Sequence, residues 1–227
     1  MGGSEILRRH LARRRACAAL PLQSISMPPA ELTALLLLST AASFSPGPNT
    51  ALSTALGANL GLRHALRFVC AVPVGWGLLF SLCAVGVGAL VAALPELKWA
   101  ITLGGTAYLL WLARQLSRSR SLSQADASRL DVSFWQGVML QFLNIKAWML
   151  ALSITGGWIS GQPDAASRTL MLLPVMVAFG FFSNLTYALI GSLLRHWLSQ
   201  GQRLLIFNRC MAAALVLTAA WMVWSAR

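Results

Sequence analysis

The sequence is poor in charge and poorest in acid. Six Asp and Glu stand against 18 Lys and Arg, and charged residues make up only 11% of 227. Soluble globular domains carry about 25% charged residues, so that class is excluded. Histidine is limited to His10, His64 and His196, all outside the centres of the apolar runs, which leaves no imidazole cluster for a metal within a membrane. The four cysteines, Cys17, Cys70, Cys83 and Cys210, show neither CxxC nor Cys/His metal spacing. They read as small packing residues rather than a disulfide framework. There is no P-loop, zinc signature or nucleophile elbow, so neither an enzyme nor a cofactor is expected.

What the chain has is apolar surface: 57% of its residues are hydrophobic. Runs of roughly 20 apolar residues, the length that spans a bilayer, lie at about Leu32 to Ala55, Phe68 to Leu94, Trp99 to Leu116, Phe134 to Trp158, Thr169 to Leu194 and Leu204 to Trp224. The fold class implied is an all-α membrane protein with six transmembrane helices, its main partner the lipid bilayer. The formal net charge of +12 does not indicate nucleic acid, because the basic residues gather between the apolar runs and in the first fifteen residues.

These charges set an orientation. Arg63 and Arg67, then Arg114, Arg118, Arg120 and Arg129, then Arg195, Arg203 and Arg209 all fall on one side if every run crosses, against Lys98, Arg168 and Arg227 on the other. The richer side is assigned to the cytoplasm. Residues 1–26 conflict with this, since Arg8, Arg9, Arg13, Arg14 and Arg15 would lie outside. Met27, followed by Pro28-Pro29-Ala30-Glu31, looks like a chain start, so residues 1–26 read as a basic extension outside the fold.

The polar stretch from Arg114 to Ser133 cannot build a core. It separates a first three-helix unit, residues 27–116, from a second, residues 134–227, with 117–133 as a cytoplasmic linker. An odd number of crossings per unit makes the two units enter the membrane from opposite sides, as an inverted repeat requires. The first run of each unit is interrupted: Ser45-Pro46-Gly47-Pro48-Asn49 in one, Asn144-Ile145-Lys146 in the other. Proline removes amide donors and helical regularity, exposing backbone groups that lipid cannot satisfy. Paired breaks at matched positions are the sequence mark of a midplane site.

Lys146 is the one Lys, Arg, Asp or Glu that falls well inside a run. A lysine at the membrane centre costs about 2.5–3.5 kcal/mol on insertion scales, which points to function. With helix N-termini at the breaks, it suits capture of a carboxylate. Pro46, Gly47, Pro48, Asn49, Asn144, Lys146 and Asn184 are therefore the candidate substrate-binding residues. The three asparagines can both donate and accept, as a zwitterionic ligand requires. Phe44, Trp148 and Phe182 are candidates for the wall, and glycines 57, 61, 75, 77, 86, 88, 104 and 105 for close helix packing.

Pro46-Gly47-Pro48-Asn49 and Asn144-Ile145-Lys146, with Gly61-Leu62-Arg63-His64 in the following loop, resemble the hallmark segments of the LysE/RhtB family of amino-acid exporters. Ser133-Phe134-Trp135, Leu140 to Lys146 and Asn184 with Ala188-Leu189-Ile190-Gly191 are most similar to its cysteine/O-acetylserine exporter type. That type also has an aliphatic residue between Asn and Lys. The resemblance implies efflux of small neutral amino acids across the plasma (inner) membrane, driven by the proton gradient. The chain departs from many members where Trp76, not an acid, follows Gly75, leaving Lys146 as the candidate proton carrier. A homodimer stays open as a partner. Two other readings compete: a membrane thiol-disulfide carrier, which needs cysteines that meet, and a metal-ion exporter, which needs anionic or imidazole ligands.

Overall fold

A computed structural model describes residues 27–119 and 130–225. The basic extension at 1–26 and the linker centre at 120–129 lie outside the described residues, as does Arg227. The described chain is helical: α1 (Pro29–Phe44), α2 (Pro48–Leu60), α3 (Leu62–Ala84), α4 (Val87–Ala93), α5 (Pro95–Arg118), α6 (Phe134–Leu143), α7 (Ile145–Ile154), a π-helical turn (Thr155–Ile159), α8 (Ala165–Leu198) and α9 (Arg203–Ser225).

The helix starts follow from their residues. Prolines begin α1, α2 and α5, where a missing N–H costs nothing because first-turn amides have no partner within the helix. At α6, Ser133 Oγ accepts from the Gln136 amide at 3.2 Å while Gln136 Oε1 accepts from the Ser133 amide at 2.8 Å, a reciprocal cap. Gly61 joins α2 to α3 at φ 82°, a conformation that side chains disfavour.

Three helices, α3, α8 and α9, are individually long and apolar enough to cross a membrane. Two bent pairs, α4 with α5 at 95° and α6 with α7 and its π-turn at 67°, bring the number to five if each is one span. The outer surface suits lipid: Leu170, Leu193 and Leu217 are 73%, 79% and 70% exposed. One boundary differs from expectation. Phe68 to Leu94 is not continuous, because Gly86 turns the chain at φ 96° and Leu94 is extended before Pro95. A residue before proline is pushed out of the α region, so α4 is cut off from both neighbours.

Small residues let the helices approach closely. A Cβ on Gly57 of α2 would strike the Ala188 carbonyl oxygen of α8, and one on Gly191 of α8 would strike the Thr54 carbonyl oxygen of α2. Gly75 of α3 abuts α6 in the same way, its added Cβ falling 2.5 Å from Val138 O. Gly57 and Gly61, both expected to serve close packing, thus divide the labour, since Gly57 packs and Gly61 turns the chain. At the far end of α2, buried Asn59 and Asn208 exchange amide hydrogen bonds at 2.7 and 2.9 Å, and Asn208 Nδ2 also donates to Ser119 O at 3.1 Å. That triad ties α2, α5 and α9 together.

Candidate functional site

The first break is built from the amides that proline removes. Continuation of α1 would require the residue-46 amide to reach Ala42 O and the residue-48 amide to reach Phe44 O; both residues are proline. Ser45 Oγ donates instead to Ala42 O at 3.0 Å, and the Tyr187 hydroxyl to Phe44 O at 2.8 Å. The Gly47 amide donates to Thr50 Oγ1 at 3.0 Å. The carbonyls of Ser45 and Pro46 receive no backbone amide among the described residues.

They receive Lys146. Its Nζ donates to Ser45 Oγ at 2.7 Å, Ser45 O at 3.0 Å and Pro46 O at 3.4 Å, which uses all three ammonium hydrogens. Lys146 stands in the first turn of α7, beside the second break, where Asn144 caps the helix by accepting from the Lys146 amide at 3.2 Å. The two breaks, a hundred residues apart, are thus joined by one side chain. Gly47 makes room for it, since a Cβ there would lie 3.1 Å from Nζ.

Around this junction lies a cavity of about 70 Å³, lined by residues of α1, the breaks, α2, α3, α7 and α8. Gly47, Pro48, Asn49, Asn144, Lys146 and Asn184 line it, whereas Pro46 is not in its wall and contributes through its carbonyl. The asparagines differ in what they have left to offer. Asn184 is consumed internally: its Oδ1 accepts from Ser53 Oγ at 2.9 Å and its Nδ2 donates to Gly180 O at 2.8 Å and Ser183 Oγ at 3.5 Å. Asn49 exchanges amide bonds with Gln141 at 2.8 and 3.3 Å, which leaves it one N–H. Asn144 uses its oxygen for the cap and, among the described residues, keeps its amide hydrogens. With the first-turn amides of α2, these are donors suited to an anion. Among the described residues, no Asp or Glu lines the cavity.

The expected wall aromatics are elsewhere. Phe44 and Phe182 are exposed, and buried Trp148 donates its Nε1 to Phe142 O at 2.8 Å. The wall is Trp76, 7% exposed and stacked on Phe80 with ring centroids 5.1 Å apart. Sequence reasoning marked Trp76 only as a departure, met Gln141 only within the segment that carries the resemblance, and missed Ser53 and Tyr187 altogether. A polar amide at position 141, inside an apolar run and three residues before a break, was the available signal.

The LysE type translocator model matches residues 40–225. Among curated proteins, a cysteine/O-acetylserine efflux protein of Klebsiella pneumoniae is 30% identical over 202 residues, 87% of this chain and 99% of that protein. Proteins of the same description from Escherichia coli and Shigella sonnei are 27% identical over 191 residues, 84% of this chain and 96% of theirs. No solved structure matches significantly.

Proposed function

Because the chain belongs to the LysE type translocator family, and is a multi-pass inner-membrane amino-acid exporter, we propose that it carries small neutral amino acids out of the cytoplasm on the proton gradient. The substrates are of the cysteine/O-acetylserine or homoserine/threonine kind, and the binding residues are Gly47, Asn49, Asn144 and Lys146, with Pro46, Pro48 and Asn184 shaping the site. The observation that carries this reading is the cavity where the two breaks meet. At roughly 10–15 Å³ per water-sized group, its volume of about 70 Å³ is on the scale of a small amino acid.

The six-span, two-repeat arrangement belongs to the same reading, with α1 and α2 together as the remaining crossing and 117–133 as the link between units. It is supported by the meeting of the two matched breaks, which an inverted repeat brings to the midplane. Among the described residues the site has no acid to carry a proton and Lys146 is its one ionisable side chain, so coupling within it runs through Lys146. Thiol exchange finds little support, since no cysteine among the described residues lines the cavity. Metal export finds as little, since no group of three or more His, Cys, Asp or Glu that could hold an ion occurs among the described residues.

The test is efflux of a panel of labelled amino acids from proteoliposomes containing the full chain. Small neutral members leave faster than from protein-free vesicles, and Lys146→Met slows them more than tenfold. Equal rates with and without protein for every member refute the exporter reading. Unchanged export and pH dependence in Lys146→Met remove Lys146 from both binding and coupling.

A further inference from the structure

An amino acid brings two charges to a cavity that, among the described residues, has only a cation to meet them. Its carboxylate has Lys146, the Asn144 amide and helix first-turn amides. Its ammonium has no carboxylate to pair with, and an unpaired charge in such a place is costly. The acceptors best suited to an ammonium are Ser45 O, Ser45 Oγ and Pro46 O, at the break whose neighbours Ser43 and Gly47 line the cavity. Those oxygens are already holding an ammonium group, that of Lys146.

We propose that Lys146 is a tethered stand-in for the substrate's ammonium, occupying Ser45 O, Ser45 Oγ and Pro46 O in the empty site and giving them up to an α-amino acid whose carboxylate draws it away. This rests on the cavity's being the amino-acid site proposed above. The exchange conserves charge at every position: one cation leaves the oxygens as another arrives, and the displaced lysine pairs with the carboxylate. Gly47, with no Cβ to block the route beside Nζ, and the four-carbon lysine stem make room for it. Loading thereby removes the Lys146 link between the two breaks, so that the signal of occupancy is the release of that link. A ligand with only one of the two charges cannot complete the exchange.

The test uses cysteine, cysteamine, which lacks the carboxylate, and 3-mercaptopropionate, which lacks the amine, under reducing conditions. In wild-type proteoliposomes the two analogues each inhibit labelled cysteine efflux at least tenfold more weakly than unlabelled cysteine does. In purified Lys146→Met the three oxygens lose their resident cation, so cysteamine binds at least tenfold tighter than to wild type by calorimetry. Ser45→Ala in the Lys146→Met background reverses part of that gain. A lysine that merely glues helices, or merely binds carboxylate, produces no gain in amine affinity. Equal cysteamine affinity in wild type and Lys146→Met overturns the proposal, as does inhibition of the wild type by 3-mercaptopropionate equal to that by cysteine. If Lys146→Met does not fold, the wild-type competition decides alone. Absence of efflux of every amino acid by the wild type defeats the exporter reading, whereas efflux with single-charge analogues as effective as cysteine defeats only the exchange.

Discussion

Replacing Asn49 by alanine separates what this residue does for the fold from what it offers a substrate. Asn49 and Gln141 exchange two amide hydrogen bonds, and Gln141, fully buried, also donates Nε2 to Gly137 O at 3.1 Å. In Asn49→Ala the Gln141 Nε2 keeps its carbonyl partner, but Oε1 is stranded without a donor. An unsatisfied buried acceptor costs about 1–3 kcal/mol. Side-chain hydrogen bonds between membrane helices average nearer 0.6 kcal/mol, with a maximum of about 1.7, because the unfolded chain in lipid finds other partners. The expected destabilisation is therefore about 1–2 kcal/mol by these two measures. Gln141→Leu removes the stranded group itself, and Asn49, at the cavity wall, can turn its amide to water, so this change costs less. The double variant is then more stable than the sum of the singles predicts, with a coupling of about 1 kcal/mol. The assay is a double-mutant cycle on the purified protein in detergent, read as unfolding free energy. Additivity within about 0.5 kcal/mol refutes the pairing of these two side chains.

Two further outcomes follow from the same geometry. Trp76→Ala removes the indole wall, costs about 3–5 kcal/mol of stability as large aromatic truncations do, and relaxes selectivity so that leucine or methionine competes with cysteine; since one methylene is worth about 10–200-fold in a fitted pocket, a competition profile shifted less than about threefold sinks its role as the wall. Asn208→Leu removes the amide that Asn59 and Ser119 O share at a fully buried position, leaving Asn59 with Ala55 O at 2.9 Å and Ser119 Oγ at 3.4 Å but Ser119 O without its amide donor; the unfolding free energy falls by about 1–3 kcal/mol, measured in detergent, and the ratio of cysteine to serine transport is expected to stay unchanged.

Some of this was legible in the residues. Prolines at 46 and 48 remove two amides wherever the helix sits, so the break in the first apolar run needed no structure to find. Asn144 and Lys146 in the fourth run carried the second signal, through the cost of placing a cation there. Other features were not legible. The interruption at Gly86 was hidden because Val85, Val87 and Leu90 keep the apolar pattern running across it, while the turn depends on a single positive φ. The wall aromatic could not be picked from the candidates because Phe44, Trp148, Phe182 and Trp76 are alike in composition and differ in which face of their helix meets the cavity.

The sequence by itself determined the membrane class, the helical form, the places where regular backbone fails and the isolation of Lys146, because each rests on local chemistry: a missing N–H, a solvation cost, a run length. Only the tertiary structure decided that Lys146 reaches Ser45 across 101 residues, that Asn184 spends its amide on Gly180 and Ser53, and that Asn49 shares its amide with Gln141. Those pairings depend on how closely α2 can lie on α8, and α3 on α6. That closeness comes from glycines whose missing Cβ has no partner to declare until the neighbouring helix is in place.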